Sequence, residues 1–301
     1  MIIVTYRKTF FAITAAITLV ALAAIFIFGL KLGTDFTGGT LIEARYEGNR
    51  PTVEALTQSL EGIGLHGSSV REAQNNQFII RAPNLSNEQR EKMQSALSIG
   101  DSKATIESLT EVGPTIGNEL RTKAGTSLGF VLLAILLFIA FAFRKVSKPI
   151  SSWVYGLIAL VTLMHDVIVP LGFFAVLGHY FGAQVDTLFV TAILTILGYS
   201  VHDTIVVFDR TRENLHINHE TGKKEDFAVT AGRSLNQAFV RSVNTSVTVL
   251  ISLGVLFFIG PVSTQDFALT LIVGIVAGTY SSIALATPLL VSVAKWQEKR
   301  I

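Results

Sequence analysis

Cysteine is absent from the 301-residue chain, and charge is scarce, with Asp, Glu, Lys and Arg making up 15% of it. The first absence forbids disulfides and any cysteine-ligated metal cluster. The second is uneven, because several long stretches contain no charged residue at all. A net charge of +2 without a basic stripe argues against nucleic acid as a partner. HExxH is missing too, and the one glycine-rich stretch, 33–39, is not closed by Lys-Ser or Lys-Thr, so neither a metal nor an organic cofactor is expected.

What the chain has is apolar length. Residues 10–30 and 124–143 are free of charge, each long enough at about 1.5 Å per residue to cross roughly 30 Å of hydrocarbon. Residues 242–265 and 267–294 are also charge-free and are separated only by Asp266; the adjacent Gly260-Pro261 break predicts a hairpin of two spans. Residues 152–178 and 187–208 are apolar except for His165-Asp166 and His202-Asp203, and a single acidic residue does not defeat a full-length span. A polytopic α-helical membrane protein follows, with spans at 10–30, 124–143, 152–178, 186–208, 239–260 and 266–294. A soluble chain of 32.6 kDa would lack the amphipathic shell needed to hide six such helices. Arg7-Lys8 ahead of the first run resembles a signal peptide, but the run is too long and Gly29-Leu30-Lys31 makes a poor cleavage site, so the helix is expected to be retained.

Lys and Arg set the orientation. Arg7 and Lys8 precede the first span. Arg144, Lys145 and Lys148 lie between the second and third, and Arg210, Arg212, Lys223, Lys224, Arg233 and Arg241 between the fourth and fifth. Lys295, Lys299 and Arg300 follow the sixth. All fall on one side, whereas connections 178–186 and 261–266 contain neither Lys nor Arg. Segments 1–9, 209–238 and 295–301 are therefore expected in the cytoplasm, the middle one as a loop, and 31–123 outside it.

Residues 31–123 read as a small α/β domain. Residues 40–46, 68–72, 77–82 and 104–109 alternate as strands, with a turn at Asn75-Asn76. Helices are predicted at 53–62 and from a Ser86 cap to Leu97. The order βαββαβ is the split, ferredoxin-like arrangement, a sheet with two helices on one face, and it carries no obligatory chemistry. The glycine-rich stretch 33–39, without a helix after it, reads as a tight turn between span and strand.

Function is sought where charge enters hydrocarbon. An ionised Asp at mid-membrane costs roughly 2.5 to 3.5 kcal/mol on the insertion scale, so Asp166 and Asp203 suggest a proton or ion path. Arg241 is the natural counter-ion of Asp203, with Ser242, Asn244, Thr245 and Ser246 beside it as a polar network. The alternatives are a static packing bond and an Arg that snorkels to the interface. His165-Asp166 and His202-Asp203, with Ser200 near, raise nucleophilic catalysis, but adjacent helical residues point about 100° apart and do not make a triad. An intramembrane aspartic protease is disfavoured by the unequal depths of the two Asp residues, so no enzyme activity is expected. Gly274, Gly278 and Ser281-Ser282 suit close helix packing.

Five separated motifs carry a family resemblance. They are Asp35-Phe36-Thr37-Gly38-Gly39 with its flanks, Glu111 to Gly117, His165-Asp166, the run Gly198 to Asn214 around His202-Asp203, and Arg241 to Ser246. Together they resemble the SecF family, the smaller subunit of an accessory complex of the bacterial Sec translocase. The resemblance implies an inner-membrane protein related to the resistance-nodulation-division exporters. It also implies a SecD partner of similar plan, association with SecYEG, YajC and the translocating polypeptide, and Asp203 with Arg241 as the transport-linked pair driven by protons or sodium. A half-transporter exporting small solutes or lipids by the same chemistry is the alternative. The family commonly has Asn where this chain has His202, which adds a titratable group.

Overall fold

The structure, a computed structural model, describes residues 2–74, 76–144 and 150–298; Asn75, Lys145, Lys148, Lys299 and Arg300, invoked above, lie outside them. A single helical turn, α1 (Ile2–Thr5), precedes α2 (Arg7–Phe28). The domain inserted between the first two membrane helices runs from α3 (Thr34–Thr37) through β1 (Gly39–Glu47), α4 (Val53–Gly62), β2 (Ser69–Glu72), β3 (Gln77–Ala82) and α5 (Asn87–Leu97) to β4 (Lys103–Val112). Then come α6 (Pro114–Ala142), α7 (Ser152–Phe181), α8 (Thr187–Glu220), α9 (Phe227–Ile259) and α10 (Gln265–Ser281), a π-helical stretch Ser282–Ala286, and α11 (Thr287–Glu298).

Among the described residues, six helical segments are long and apolar enough to span a membrane. α7, α8 and α10 form the buried middle of the bundle, while α2, α6 and α9 keep most of their apolar length exposed. Phe26, Phe130, Phe258 and Ile259 are more than two thirds exposed, which suits a hydrocarbon solvent and would be costly in water. Gly172 brings α2 and α7 into contact: a Cβ there would stand 2.5 Å from Ala21 Cα. Gly260 and Pro261 end α9, and a 3-10 turn Val262–Thr264 leads into α10, making the hairpin that the break predicts.

The sheet of the outer domain is antiparallel in the order β2-β3-β1-β4, with a bulge where β1 passes from Glu43 to Ala44. Its core is closed within itself: Ile42, Ala44 and Tyr46 of β1 and Phe78 and Ile80 of β3 pack on Leu56, Leu60, Met93 and Leu97 of the two helices. Ser86 caps α5 in a reciprocal capping box with Gln89, and Thr52 caps α4 through Ala55 N at 3.2 Å. Asn76, with φ 56°, makes the turn between β2 and β3.

Three readings are corrected. α6 is helical from Pro114, ten residues before the apolar stretch begins, because Gly113-Pro114 supplies a start signal and nothing after it breaks the helix. Residues 209–238 are largely a helical hairpin rather than a loop, since α8 continues to Glu220 and α9 starts at Phe227. The glycine-rich stretch contains the helical turn α3.

That hairpin is held by buried polar contacts instead of apolar ones, which is why hydropathy misses it. Asn214 Nδ2 donates to Ser234 Oγ at 2.8 Å and to Gln237 Oε1 at 2.9 Å. Glu225 accepts from Thr230 Oγ1 at 2.8 Å, Asn218 Nδ2 at 3.1 Å and Lys223 Nζ at 3.1 Å, and pairs with Arg233 at 2.9 Å. These hydrogen bonds, led by that from Asn218, lower the Glu225 carboxyl from its ordinary 4.5 to about 2. A depressed carboxyl stabilises the fold fully above its unfolded value, and that contribution fades as pH falls from 4.5 toward 2. The hairpin is therefore expected to be indifferent to pH above 5, and carbon-13 NMR of the carboxyl should show no titration near 4.5. A midpoint near that value would contradict the arrangement.

Candidate functional site

The most developed polar site lies where α7, α8 and α10 meet. Asp166 on α7 has no exposed surface. Its Oδ2 accepts from Ser281 Oγ of α10 at 2.9 Å and from Ser200 Oγ of α8, and its Oδ1 meets Nδ1 of His165 at 2.9 Å. His165 Nε2 is buried without a partner among the described residues, and its ring lies 6.2 Å from that of Tyr280, whose hydroxyl is 3.2 Å from Thr14 Oγ1 on α2. One turn along α8, Thr204 Oγ1 lies 2.9 Å from Ser282 Oγ, the first residue of the π-helical stretch. Local backbone chemistry makes room for this. Pro170 has no N–H to give the carbonyl of Asp166 four residues back, and Gly278 lets Ser200 approach, since a Cβ there would stand 2.9 Å from Ser200 Cβ. A π turn beside a buried carboxylate is a common mark of a functional site.

Asp203 is also on α8, three residues past Ser200 or about 4.5 Å along the axis. It is buried, and its Oδ2 has no hydrogen-bond partner among the described residues; nor has the buried Ser242 Oγ of α9. His202, Ser242 and Arg241 are its polar and charged neighbours. The expected Asp203–Arg241 charge pair is not formed: Arg241 is exposed and makes no ion pair among the described residues. The reason is helical phase. Ser242 faces Asp203, which turns Arg241, one residue earlier, by about 100° onto the outer surface.

The polar group on α9 accordingly divides. Ser242 and Ser246 face inward, where Ser246 Oγ lies 2.6 Å from Thr279 Oγ1 and 3.2 Å from Tyr199 OH. Arg241, Asn244, Thr245, Thr248 and Ser252 are exposed, and so are Thr191, Thr195 and His202 on α8. The hydroxyls of this outer stripe bond to carbonyls of their own helix, as Thr245 does to Arg241 O at 2.9 Å. The side chains of Arg241, Asn244 and His202 make no hydrogen bond or ion pair among the described residues.

Sequence reasoning weighed Ser200 only as a nucleophile and Ser281-Ser282 only as packing residues, and it did not single out Thr204; the structure makes all four part of the polar site. His165 and Asp166 do meet, although adjacent in the chain, but the order of contacts is His-Asp-Ser. A triad needs the hydroxyl on the imidazole, and here it is on the carboxylate. No group of three or more His, Cys, Asp or Glu able to hold a metal occurs among the described residues.

Asp35 acts at a distance. Its Oδ2 accepts from Thr187 N, the first residue of α8, at 2.9 Å, while Asp186 caps the same helix through Phe189 N at 2.7 Å. Phe36 is buried with Phe174, Val185 and Phe189, and Gly33 N donates to Val185 O at 2.7 Å. Thr37 Oγ1 closes the turn on Gly33 O at 3.0 Å. Gly38 and Gly39 have φ of 78° and 128°, and a Cβ on Gly39 would stand 2.7 Å from Ala82 O. The motif thus clamps the outer end of the helix that carries Ser200 and Asp203.

Comparison with known proteins agrees with this architecture. Residues 92–296 match the family model for the C-terminal part of the SecD/SecF protein export membrane proteins, and residues 23–49 match the SecD/SecF GG motif. The chain is 39% identical over 310 residues to the protein translocase subunit SecF of Thermobaculum terrenum, covering 99% of this chain and 94% of that one. With SecF of Pseudomonas aeruginosa it shares 34% over 288 residues, 95% and 89% of the two chains. The crystal structure of SecDF from Thermus thermophilus, described as a translocon-associated membrane protein, superposes with a TM-score of 0.84 at 33% identity over 97% of this chain and 38% of that one. SecDF in a super-membrane-facing form gives 0.67 at 34% identity. With its six long apolar helices, its inserted β-sheet domain and relatives matched over nearly their whole length, the chain belongs to the SecD/SecF family and has a SecF-like role in Sec-dependent protein export.

Proposed function

We propose that the chain is the SecF-like half of an accessory complex in which passage of a proton, or of sodium, through the Asp166 and Asp203 region assists export through SecYEG. In this reading it spans the inner membrane with both termini in the cytoplasm and shares the plan of the resistance-nodulation-division exporters. SecD is the partner that covers the outer stripe of α8 and α9, with YajC and the translocating polypeptide as further partners. The observation that carries it is the stripe itself. Arg241, Asn244 and His202 are exposed at the level of a membrane bundle without a hydrogen bond or ion pair of their own, and a guanidinium against lipid is costly. A partner bundle that supplies polar groups removes that cost, and an exposed Arg241 is then free to pair across the interface and to approach or leave Asp203.

The absence of cysteine allows a clean test. A photoreactive thiol reagent on Thr248→Cys is expected to cross-link the chain to SecD, and the same reagent on Phe130→Cys, an exposed apolar position of α6, is expected to reach lipid. A membrane-impermeant thiol reagent applied outside should label Gln74→Cys and spare Gly222→Cys. Cross-linking from Phe130 with none from Thr248 would place the partner on the wrong face, and labelling of Gly222 would invert the topology.

A further inference from the structure

The outer domain is tied to the bundle in two different ways. One tie is covalent: β1 and β4, neighbours in the sheet, join the membrane helices through Gly38-Gly39 and Gly113-Pro114. These connections cross closely, since a Cβ on Gly38 would stand 3.0 Å from Pro114 Cα. Two adjacent glycines at positive φ beside a proline form a narrow pivot.

The other tie is at the far edge of the sheet. Arg71 on the edge strand β2 donates from Nη1 to Asp266 Oδ2 at 2.7 Å and from Nη2 to Asp266 Oδ1 at 2.9 Å. This two-pronged pair is about four fifths buried on both sides and bridges the domain to the first turn of α10. Arg71 also lies over the end of α7, its Cδ 3.9 Å from where a Cβ of Gly182 would be. The hydrogen bonds to Asp266 raise the Arg71 guanidinium above its ordinary value.

A second cation stands ready at the same place. Arg81 on β3 is within electrostatic reach of Arg71, Asp266, Asp186 and Asp35, and its buried Nη1 has no hydrogen-bond partner among the described residues. Burial, and next the Arg71 charge, lower the Arg81 guanidinium. Two guanidiniums thus stand within electrostatic reach of three carboxylates with one buried donor unused, so a second cation remains near Asp266 when Arg71 leaves it. A static strut has no need of that spare donor. A contact that opens does.

We infer that Arg71 and Asp266 form a releasable latch: the outer domain swings on the glycine pivot, and the latch must open in each working cycle. Asp266 and Ser281, which holds Asp166, lie on the same helix, fifteen residues or about 22 Å apart. The latch is therefore rigidly connected to the buried carboxylate, and the π-helical stretch immediately after Ser281 lets α10 shift without unwinding. The inference rests on the coupling proposed above and names the contact through which the outer domain takes part in it.

The test uses Arg71→Cys with Asp266→Cys in the otherwise cysteine-free chain, in membrane vesicles carrying the whole translocation complex. A reducible bis-methanethiosulfonate with a two-carbon spacer stands in for the reach of the Arg side chain. The bridged complex is expected to lose gradient-dependent export assistance and to regain it on reduction, while each single-cysteine chain treated alike stays active. Full activity of the bridged complex overturns the latch, whatever Asp203→Asn does; activity of Asp203→Asn overturns the coupling while leaving the bridge result legible. A second measurement keeps both latch residues. Spin labels on Gln74→Cys and Ser263→Cys should show one distance at rest and a second, longer one when a proton gradient is imposed. A distance unchanged by the gradient overturns the latch as well.

Discussion

Asp203→Asn is expected to abolish gradient-dependent export assistance while leaving the protein's abundance and its assembly with SecD unchanged. The two side chains have the same shape, so α8 should pack as before against α9 and α10. The change removes only the capacity to carry a charge or release a proton. Asp203 is suited to that role because it is buried beside Ser242 with an oxygen that has no hydrogen-bond partner among the described residues. Arg241 lies one residue from Ser242 on the outer face. When a partner bundle covers that face, movement of the guanidinium toward or away from Asp203 changes the electrostatic preference between the charged and neutral acid. Arg241→Lys should fail too, because a point charge on a flexible stem does not reproduce the planar fork. Export assays at matched membrane abundance decide it. An Asp203→Asn complex that works as well as the parent would end the proposal, and loss of the protein itself would support the static packing alternative.

The sequence was informative where physics leaves few solutions. A charge-free run of some twenty residues has nowhere to go except hydrocarbon, so the spans are visible. Strand alternation and the Ser86 cap are local signals, and the outer domain follows them closely. The phase of α9 was not visible, because Arg241 to Ser246 are nearly all polar and such a run gives no indication of which side faces the core. Hydroxyls posed the same problem. In membrane helices they usually bond to the carbonyl one turn back, as Thr191 and Thr195 do, and nothing local distinguishes Ser200 and Ser281, which reach across to Asp166. Asp35 was legible only as part of a turn because its partner, Thr187 N, is 152 residues away.

Gly278→Ala separates the Asp166 site from a general need for small residues. Adding one methyl group changes no charge, removes no hydrogen-bonding group and raises intrinsic helix propensity by about 1 kcal/mol, so on local grounds it should stabilise α10. At this position the new Cβ would lie 2.9 Å from Ser200 Cβ and 3.0 Å from its Oγ. Relief requires α8 and α10 to part by several tenths of an ångström at the level where Ser200 and Ser281 both donate to Asp166. A hydrogen bond weakens steeply with such displacement, and a buried carboxylate that loses its donors is left unsatisfied. Export assistance is therefore expected to fall nearly as far as in Asp166→Asn, with the complex still assembled. Gly254→Ala, on α9 with nothing within 4 Å of the added carbon, is the control and should keep full activity. If Gly278→Ala were as active as Gly254→Ala, contact between Ser200 and Asp166 would be incidental to function. If it were inactive but Asp166→Asn were not, the glycine would serve helix packing alone.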